Sequence, residues 1–342
     1  MNWSPLHARL HQHLKESNLL PAGAKLIMAV SGGQDSVCLS RLMLDLQRHW
    51  QWSLAIAHCH HGWPGDEEIA AHVQTLGAQW QLPFYLCRAA SSLPETENAA
   101  RRWRYETLTH LAEQLDQAYV VTGHTQSDRA ETLIYNLVRG AGTAGLGSLT
   151  ERRSLSDKVK LVRPLLTITR QETGEFCRQF NLLVCFDPFN QQMRFKRNQI
   201  RQQILPHLRT LNTQADKHLA QTALILQDEN DYLEAIAQQY LQQALTPQQH
   251  LHRLVLQPLH IALQRRIIRQ YLQRILPKMP TFAQISATVE LIHGCNGDRL
   301  STLPGKIQLQ VMGEWLVPEA LKSNLPKSTN NQDHYPPQTK DY

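Results

Sequence analysis

The sequence predicts an α/β protein in which a doubly wound, mostly parallel β-sheet is followed by a smaller, mainly helical second domain. Up to about residue 210, short apolar runs typical of buried strands alternate with helical patterns, the order that produces a parallel sheet covered by helices. Beyond His207, long amphipathic helical patterns replace this alternation. A length of 342 residues allows two or three domains, each with its own core.

The elements of the first domain can be placed in order. Residues 4–20 form an amphipathic helical pattern. Apolar runs predict strands at 25–30, 52–58, 84–87, 119–122 and 182–185. Helical patterns begin at Ser36, at about Asp66, at Glu97, at about Ser127, at Thr169, and at about Arg194, the last stopping near Pro206.

The second domain has a different sequence pattern, in which helices predominate. Helical patterns cover 215–245, 260–275 and 282–293, and alternating runs at 307–311 and 314–317 predict a hairpin. We therefore divide the chain into a catalytic domain over residues 1–210 and a mainly helical domain over 211–321. Residues 322–342 are polar and contain prolines, which predicts a disordered tail.

Composition narrows the class of protein. Apolar residues make up 42% of the chain, and no apolar run is long enough to cross a membrane. The first residues lack the basic stretch and apolar core of a secretory signal. The six cysteines include no C-x-x-C pair, which argues against a zinc site, an iron–sulfur cluster and a disulfide framework. These features predict a cytoplasmic protein with reduced thiols.

The first strand ends in a polar, glycine-bearing turn. Its glycines let the backbone turn sharply and approach a ligand, and the amides at the following helix start favour an anion. The turn lacks the Lys-Ser/Thr ending of the P-loop and the third glycine of the dinucleotide fingerprint, so neither motif fits. We predict a phosphate-binding loop formed by Ser31, Gly32, Gly33, Gln34, Asp35 and Ser36, with Asp35 as a magnesium ligand.

Two more polar stretches follow strands of the predicted sheet. His58, His60 and His61 end the second strand, and Gly123 and His124 follow the fourth. Ligands of such sheets collect at the carboxyl ends of the strands, so the three stretches are expected to form one pocket. A metal site at the histidines is an alternative, but no second cluster of ligands lies near them in the sequence. Hydrogen bonding of His58, Gly123 and His124 to a nucleotide is the favoured interpretation.

Charged residues on three predicted helices add candidate binding groups. Arginine forks onto phosphate oxygens, and two carboxylates side by side suit magnesium or an ammonium group. A solvated, charged helix face is the alternative explanation for Arg101 and Arg104. The pairs, each about one turn apart, are Arg101 and Arg104, Asp128 and Glu131, and Arg197 and Arg201.

The charge distribution indicates a polyanionic partner. The formal net charge is +6, and residues 151–210 contain twelve Lys or Arg against five Asp or Glu. A solvated surface explains a mild excess, but a basic segment beside a nucleotide site favours RNA. The aromatic Phe195 lies among these basic residues, and aromatic rings stack on exposed bases.

In this order the motifs resemble those of the tRNA(Ile)-lysidine synthetase family, within the PP-loop ATP pyrophosphatase superfamily. Residues 31–36 resemble the SGGxDS loop of the superfamily, and the rest of the series makes the resemblance specific. The matching stretches, all within residues 25–208, include 58–62, 98–105, 123–132, 139–146, 163–165, Asp187-Pro188 with Asn190, and 197–201. Residues 215–320 resemble the family's tRNA-facing second domain more weakly.

The resemblance implies an adenine nucleotide α-hydrolase-like fold and a two-step reaction on the wobble cytidine of tRNA(Ile) with a CAU anticodon. ATP adenylates the C2 oxygen of the base and pyrophosphate leaves; free L-lysine then displaces AMP to give lysidine. The cofactors implied are ATP and Mg²⁺. The implied catalytic residues are Asp35 for magnesium, Asp128 and Glu131 for lysine, and Arg104 and Arg201 for the charge on phosphorus.

Other functions remain open at this point. A PP-loop tRNA thiolase shares the adenylation step but needs a sulfur-carrying cysteine or cluster. An ammonia-using synthetase such as NAD synthetase would not need the basic segment over residues 151–210. A non-catalytic ATP- and RNA-binding protein would bind both ligands without turnover. The sequence also leaves the oligomeric state open, a homodimer included, and does not separate lysine binding from magnesium binding at Asp128 and Glu131.

Overall fold

The computed structural model describes residues 3–185, 189 and 192–320. The chain divides into two compact units, one up to Asn230 and one from Asp231. Asp187, Pro188 and Asn190 and the predicted tail over 322–342 lie outside the described residues. Within the described ranges, no helix is both long and apolar enough to cross a membrane.

The first unit is built on a six-stranded sheet with the order β3-β2-β1-β4-β6-β5. Every neighbouring pair is parallel except β5 with β6, which is antiparallel. The predicted mostly parallel sheet is therefore confirmed. The strands are β1 (Lys25–Ala29), β2 (Ser53–His60), β3 (Phe84–Arg88), β4 (Tyr119–Thr122), β5 (Arg152–Ser154) and β6 (Lys160–Val162).

Helices cover both faces of this sheet. Residues on successive positions of a strand point to opposite faces, and the two cores show this alternation. Leu26 and Met28 belong to the core shared with α1, α2 and α7, whereas Ile27 belongs to the core shared with α4. The helices are α1 (Pro5–Ser17), α2 (Gln34–Trp50), α3 (Asp66–Gln79), α4 (Glu97–Gln114), α5 (Gln126–Val138), α6 (Thr143–Leu146) and α7 (Arg170–Gln179).

Two predictions about the end of this unit are wrong. Residues 182–185 form no strand; the Cys185 amide donates to the Gly32 carbonyl at 2.9 Å, so the segment contacts the loop after β1 instead of the sheet. The helix near Pro206 does not stop there. It runs from α8 (Lys196–Gln199) through a π-helical turn (Ile200–Ile204) into α9 (Leu205–Leu211). Pro206 lies in the first turn of α9, where a missing N–H is tolerated.

The long helix α10 (Ala215–Ala244) includes the point at which the two units divide, and the predicted boundary after residue 210 stays a prediction. The second unit combines helices with a small antiparallel sheet of order β7-β9-β8, so the predicted hairpin is confirmed. Its elements are β7 (Leu251–His252), α11 (Arg253–Leu256), α12 (Ile261–Ile275), α13 (Phe282–Ile292), β8 (Ile307–Met312) and β9 (Trp315–Ala320).

Candidate active site

A pocket of about 350 Å³ opens at the carboxyl ends of β1, β2 and β4. Its volume lies within the roughly 300–1,000 Å³ typical of small-molecule sites. The three polar stretches that follow these strands meet there, as the sheet topology requires. The structure brings together as pocket lining most of the residues predicted from the sequence: Ser31, Gly33, Gln34, Asp35, Ser36, His58, Arg104, Gly123, His124, Asp128 and Arg201. Gly32 and Glu131 are not part of the lining.

The loop after β1 takes its shape from Gly32 and Ser36. Gly32 has a φ of +81°, and a Cβ there would lie 2.9 Å from the Ile69 side chain, so no larger residue fits. The Ser36 hydroxyl donates to the Gly33 carbonyl at 2.9 Å and accepts from the Ser31 amide at 3.2 Å. Gly33 is the N-cap of α2. The pocket therefore faces the start of a helix, whose free amides and dipole favour an anion.

Asp35 lies in the first turn of α2 and contacts two residues that the sequence did not identify. Its carboxylate accepts from the Arg170 guanidinium at 2.8 Å and from the Thr173 hydroxyl at 2.5 Å. Burial raises the pKa of Asp35, although the charge of Arg170 opposes this. The protein alone therefore does not fully satisfy the ionised carboxylate, and a divalent cation would stabilise it.

The Gln34 side chain also contacts α7, the helix that contains Arg170 and Thr173. Its Nε2 donates to the Arg170 carbonyl at 2.6 Å and to the Thr173 hydroxyl at 3.1 Å. The amide donors of the Gln34 side chain are therefore not available to a nucleotide. The sequence carried a signal for the start of α7, because Thr169 and Glu172 form a capping box that places Arg170 at its first position, but no signal for the contact with Gln34.

His58 offers the pocket a buried hydrogen-bond acceptor. Its Nδ1 lies 2.8 Å from the Val30 carbonyl, which accepts, so Nδ1 carries the proton. Burial lowers the pKa of His58, which keeps the ring neutral and leaves Nε2 as an acceptor. Nε2 is buried and has no hydrogen-bond partner among the described residues. A ligand hydroxyl or amino group in the pocket would satisfy it.

The other histidines have local roles. His124 is paired with the Thr122 hydroxyl at 2.9 Å, and burial, followed by the charge of Arg163, lowers its pKa. His60 contacts Glu67 at 3.0 Å, and the ring of His61 stacks on Trp63. In the part of the chain that the structure describes, no group of three or more His, Cys, Asp or Glu side chains is placed to hold a metal ion. The geometry favours hydrogen bonding over a histidine metal site.

Stability should fall as the pH is lowered through 6.5 because His58 and His124 stay neutral in the folded protein. Both pKa values are depressed, so the unfolded chain binds protons there that the folded chain does not. The stability that the neutral histidines contribute is fully present above pH 6.5 and is lost as the pH falls toward their pKa values in the folded protein. Between pH 7.5 and 5.5 each histidine accounts for up to about 1 kcal/mol of unfolding free energy. Urea denaturation of wild type, His58→Asn and His124→Asn at both pH values checks this; parallel losses in all three would contradict it.

Gly123 joins the loop after β4 to the loop after β1. A Cβ at this position would lie 2.8 Å from the backbone C and O of Asp35 and 2.9 Å from the Ser36 amide. Backbone atoms cannot yield as a flexible side chain can, so glycine is required for this close approach. The sequence predicted Gly123 as a nucleotide contact, and the structure adds a packing reason for it.

Asp128 and Glu131 occupy different depths. Thr125 caps α5, and Asp128 accepts from the Thr125 amide at 2.8 Å while one of its oxygens lies 3.2 Å from Arg201 Nη2. Glu131 is 1% exposed, and its two oxygens accept from Arg201 Nε at 2.6 Å and Nη2 at 2.8 Å. Burial opposes the charge on Arg201, but Glu131 and Asp128 outweigh it and raise the Arg201 pKa. Asp128 therefore faces the pocket, and Glu131 anchors Arg201 behind it.

The remaining pocket arginines differ in their partners. Arg197 lies 3.2 Å from a Glu97 oxygen and donates to the Thr132 hydroxyl at 2.7 Å. Arg104 lines the pocket and forms no ion pair with any residue that the structure describes. Its charge is therefore available to a ligand. Arg201 sits in the π-helical turn, a feature common at functional sites.

Comparisons with known proteins match both units. A PP-loop domain model matches residues 4–208, and a TilS substrate binding domain model matches residues 251–311. The tRNA(Ile)-lysidine synthase of a Synechococcus species is 49% identical over 315 residues, covering 92% of this chain and 96% of the relative. That of a Nostoc species is 43% identical over 334 residues, covering 93% and 97%.

A solved structure supports the fold. The U34-tRNA thiolase NcsA from Methanococcus maripaludis, determined with its [4Fe-4S] cluster, superposes with a TM-score of 0.55. It is 16% identical in sequence, and the match covers 65% of this chain and 78% of that one. At this identity the likeness shows the shared PP-loop architecture and nothing about the reaction.

Proposed function

Because the chain belongs to the tRNA(Ile)-lysidine synthase family, we propose that its pocket joins lysine to C2 of the wobble cytidine of tRNA(Ile) with a CAU anticodon. The reaction consumes ATP and releases AMP and pyrophosphate. The observation that carries the proposal is the meeting, in one pocket, of a helix start that suits polyphosphate, an arginine without an ion pair in the described chain, and the Asp128 carboxylate.

The residues present fit ATP and magnesium. The helix start at Gly33 receives the phosphates, and the unpartnered Nε2 of His58 accepts a hydrogen bond from the adenosine. His124 and Gly123 also line the pocket. Asp35 would hold magnesium, which supplies positive charge to the phosphate oxygens. Its raised pKa fits such a role, since a cation offsets the cost of burying the carboxylate.

In the first step the C2 carbonyl oxygen of cytidine attacks the α-phosphorus of ATP, and pyrophosphate leaves. A carbonyl oxygen is a very poor leaving group until it becomes a phosphate ester, so this step makes C2 open to attack. Arg104 and Arg201 are the proposed groups for the negative charge that builds on phosphorus. Arg201 is held for this by Glu131, which fixes the plane of its guanidinium.

In the second step the ε-amino group of lysine attacks C2 and displaces AMP. The free amine has a pKa near 10.4, so it must lose a proton before attack. Asp128 is the proposed group that positions the ammonium and accepts the proton that it loses, because Asp128 lines the pocket whereas Glu131 does not. Burial alone would raise the Asp128 pKa, but the charge of Arg201 and the hydrogen bonds from Thr125 act against it, and the pKa is lowered, which keeps the carboxylate ionised.

The target base has to leave the anticodon loop to enter this pocket. A single-stranded loop permits that at low cost, and basic side chains beside the pocket suit the RNA backbone.

We place the enzyme in the cytoplasm with its tRNA substrate. Light scattering of the purified protein decides between a monomer and a homodimer.

A tRNA thiolase is the alternative of the same fold. It would need a cysteine or a cluster to carry sulfur. Cys59 lines the pocket, but its hydrogen bond to Cys87 and its burial raise the pKa of its thiol, which disfavours the reactive thiolate. Among the described residues no three potential ligands converge on a metal site. Both observations favour lysine as the nucleophile over sulfur.

Mass spectrometry of an isoleucine tRNA transcript tests the proposal. After incubation with ATP and lysine, the wobble nucleoside should gain the mass of lysine less one water, and AMP should appear in equal amount. A transcript with uridine at the wobble position is the matched control and should stay unmodified. Pyrophosphate release without tRNA, or a mass gain that requires a sulfur donor, would contradict the proposal.

A further inference from the structure

Three guanidinium groups surround the ring of Tyr105 on α4. The Arg153 Cζ lies 4.8 Å from the centre of the ring, and the Arg101 Cζ lies 5.6 Å from it. Arg163, which is 1% exposed, lies beneath them at the end of β6 and donates to the Thr150 carbonyl at 2.6 Å. Residues from α4, from the edge strand β5 and from the end of β6 thus converge on one phenol.

Carboxylates compensate this positive charge without contacting it: Glu97 acts on Arg101 from a distance. Among the residues that the structure describes, no carboxylate lies within 4 Å of Arg101, Arg153 or Arg163. Burial lowers the pKa of Arg101, and the charges of Arg197 and Arg153 lower it further, whereas Tyr105 and Glu97 oppose the shift. Burial alone would raise the pKa of Tyr105, but the charges of Arg163 and Arg101 outweigh it and lower the pKa. An anion placed here would relieve the repulsion between the arginines.

The geometry leaves the donors free. A guanidinium that stacks on an aromatic ring has its plane fixed, while its N–H edges remain available to phosphate oxygens. Arg101 and Tyr105 line the pocket, whereas Arg153 is exposed and lies outside the lining. A ligand that contacts both arginines must therefore extend from the pocket toward the edge of the sheet. A nucleic-acid strand does this when one of its bases occupies the pocket.

We propose that Arg101, Arg153 and Tyr105 bind a backbone phosphate of the tRNA strand, next to the nucleotide whose base enters the pocket. This assignment rests on the proposed function and extends it to residues outside the nucleotide-binding loop. Arg163 supports the site from below by holding Tyr105 in place. The phosphate contact positions the strand and carries no sequence information.

Filter binding of the tRNA transcript across a series of salt concentrations tests this site. Arg153→Ala should weaken tRNA binding several-fold and reduce the slope of log affinity against log salt by about 0.7, the value for one phosphate contact of a single strand. Arg153→Glu should weaken it further. Arg102→Ala is the control. Arg102 is 78% exposed and lies on the same helix as Tyr105, and its substitution removes the same charge as Arg153→Ala. The affinity for ATP alone should stay unchanged in all three variants.

Two results would overturn the assignment. In the first, Arg153→Ala binds tRNA with the same affinity and salt slope as Arg102→Ala. In the second, Arg153→Ala weakens binding of ATP alone and leaves tRNA binding intact, which would assign the arginines to the nucleotide's own phosphates. Failure of the proposed function looks different, because the wild-type protein itself would then not bind or modify the tRNA.

Discussion

Replacing Asp35 with alanine is expected to lower the rate of AMP formation by about a hundredfold or more, the range seen when one preorganised electrostatic group is removed. Asp35 lies in the first turn of the helix that faces the pocket, and its carboxylate is only partly satisfied by Arg170 and Thr173. Its loss removes the proposed magnesium ligand. Asp35→Asn keeps the shape without the charge and should be equally inactive. The measurement is AMP release with saturating tRNA, ATP and lysine.

Stability should change little in the same variant. Arg170 is about one-third exposed, so water can solvate it when Asp35 is removed, and such pairs contribute about 1 kcal/mol or less. Asp45→Ala is the control, because Asp45 lies on the same helix, pairs with Arg41 and His7, and lies outside the pocket lining. It should keep full activity. Unchanged AMP formation in Asp35→Ala would show that the site assignment is wrong.

The second large effect is on folding. Glu131→Ala should lower the free energy of unfolding by about 1.5–3 kcal/mol, since it removes the bidentate partner of Arg201 and leaves Asp128 as the carboxylate that contacts it. The control is Glu67→Ala. Glu67 binds Arg88 with the same bidentate geometry, at 2.7 Å for both bonds, but its side chain is 71% exposed. That variant should unfold close to wild type.

Urea denaturation of the two variants separates burial from bond geometry. We expect Glu131→Ala to lose much more unfolding free energy than Glu67→Ala. Equal losses would mean that Arg201 is solvated in the absence of Glu131, and the proposed anchoring of Arg201 by Glu131 would be wrong.

Asp128→Asn should weaken lysine binding strongly and change the free energy of unfolding less, because Asp128 lines the pocket whereas Glu131 does not.

Local pattern was sufficient to predict much of the fold and the pocket. Alternating apolar runs predicted β1 to β4, and the known behaviour of parallel sheets then placed the polar stretches after β1, β2 and β4 together. The spacing of Asp128 and Glu131 correctly put both carboxylates on one helix face. These inferences depend on residues a few positions apart, where helix and strand geometry fixes direction.

Contacts between distant parts of the chain could not be predicted in this way. Nothing local indicates that Arg201 fills the space beside Glu131, or that Arg170 meets Asp35 from a helix more than 130 positions away. Such pairs depend on how helices pack around the sheet. They also changed the interpretation, because a carboxylate pair that looked open to a ligand proved to be largely occupied by Arg201.

The two incorrect elements have related causes. Residues 182–185 carry apolar side chains typical of a strand. The Cys185 amide instead donates a hydrogen bond to the Gly32 carbonyl in the loop after β1, and the segment pairs with no strand of the sheet. Pro206 signals the end of a helix by its missing N–H. The preceding π-helical turn lets a new helical segment begin at Leu205, with the proline in its first turn. Both outcomes were decided by backbone partners that sequence spacing does not show.

In the proposed mechanism the pocket activates cytidine by transferring AMP to its C2 oxygen. An anticodon stem-loop carrying ¹⁸O at C2 of the wobble cytidine tests it, with mass spectrometry of the released AMP after incubation with ATP and lysine. The mechanism predicts AMP that contains one ¹⁸O atom for each lysine attached. Unlabelled AMP accompanying lysine attachment would contradict it.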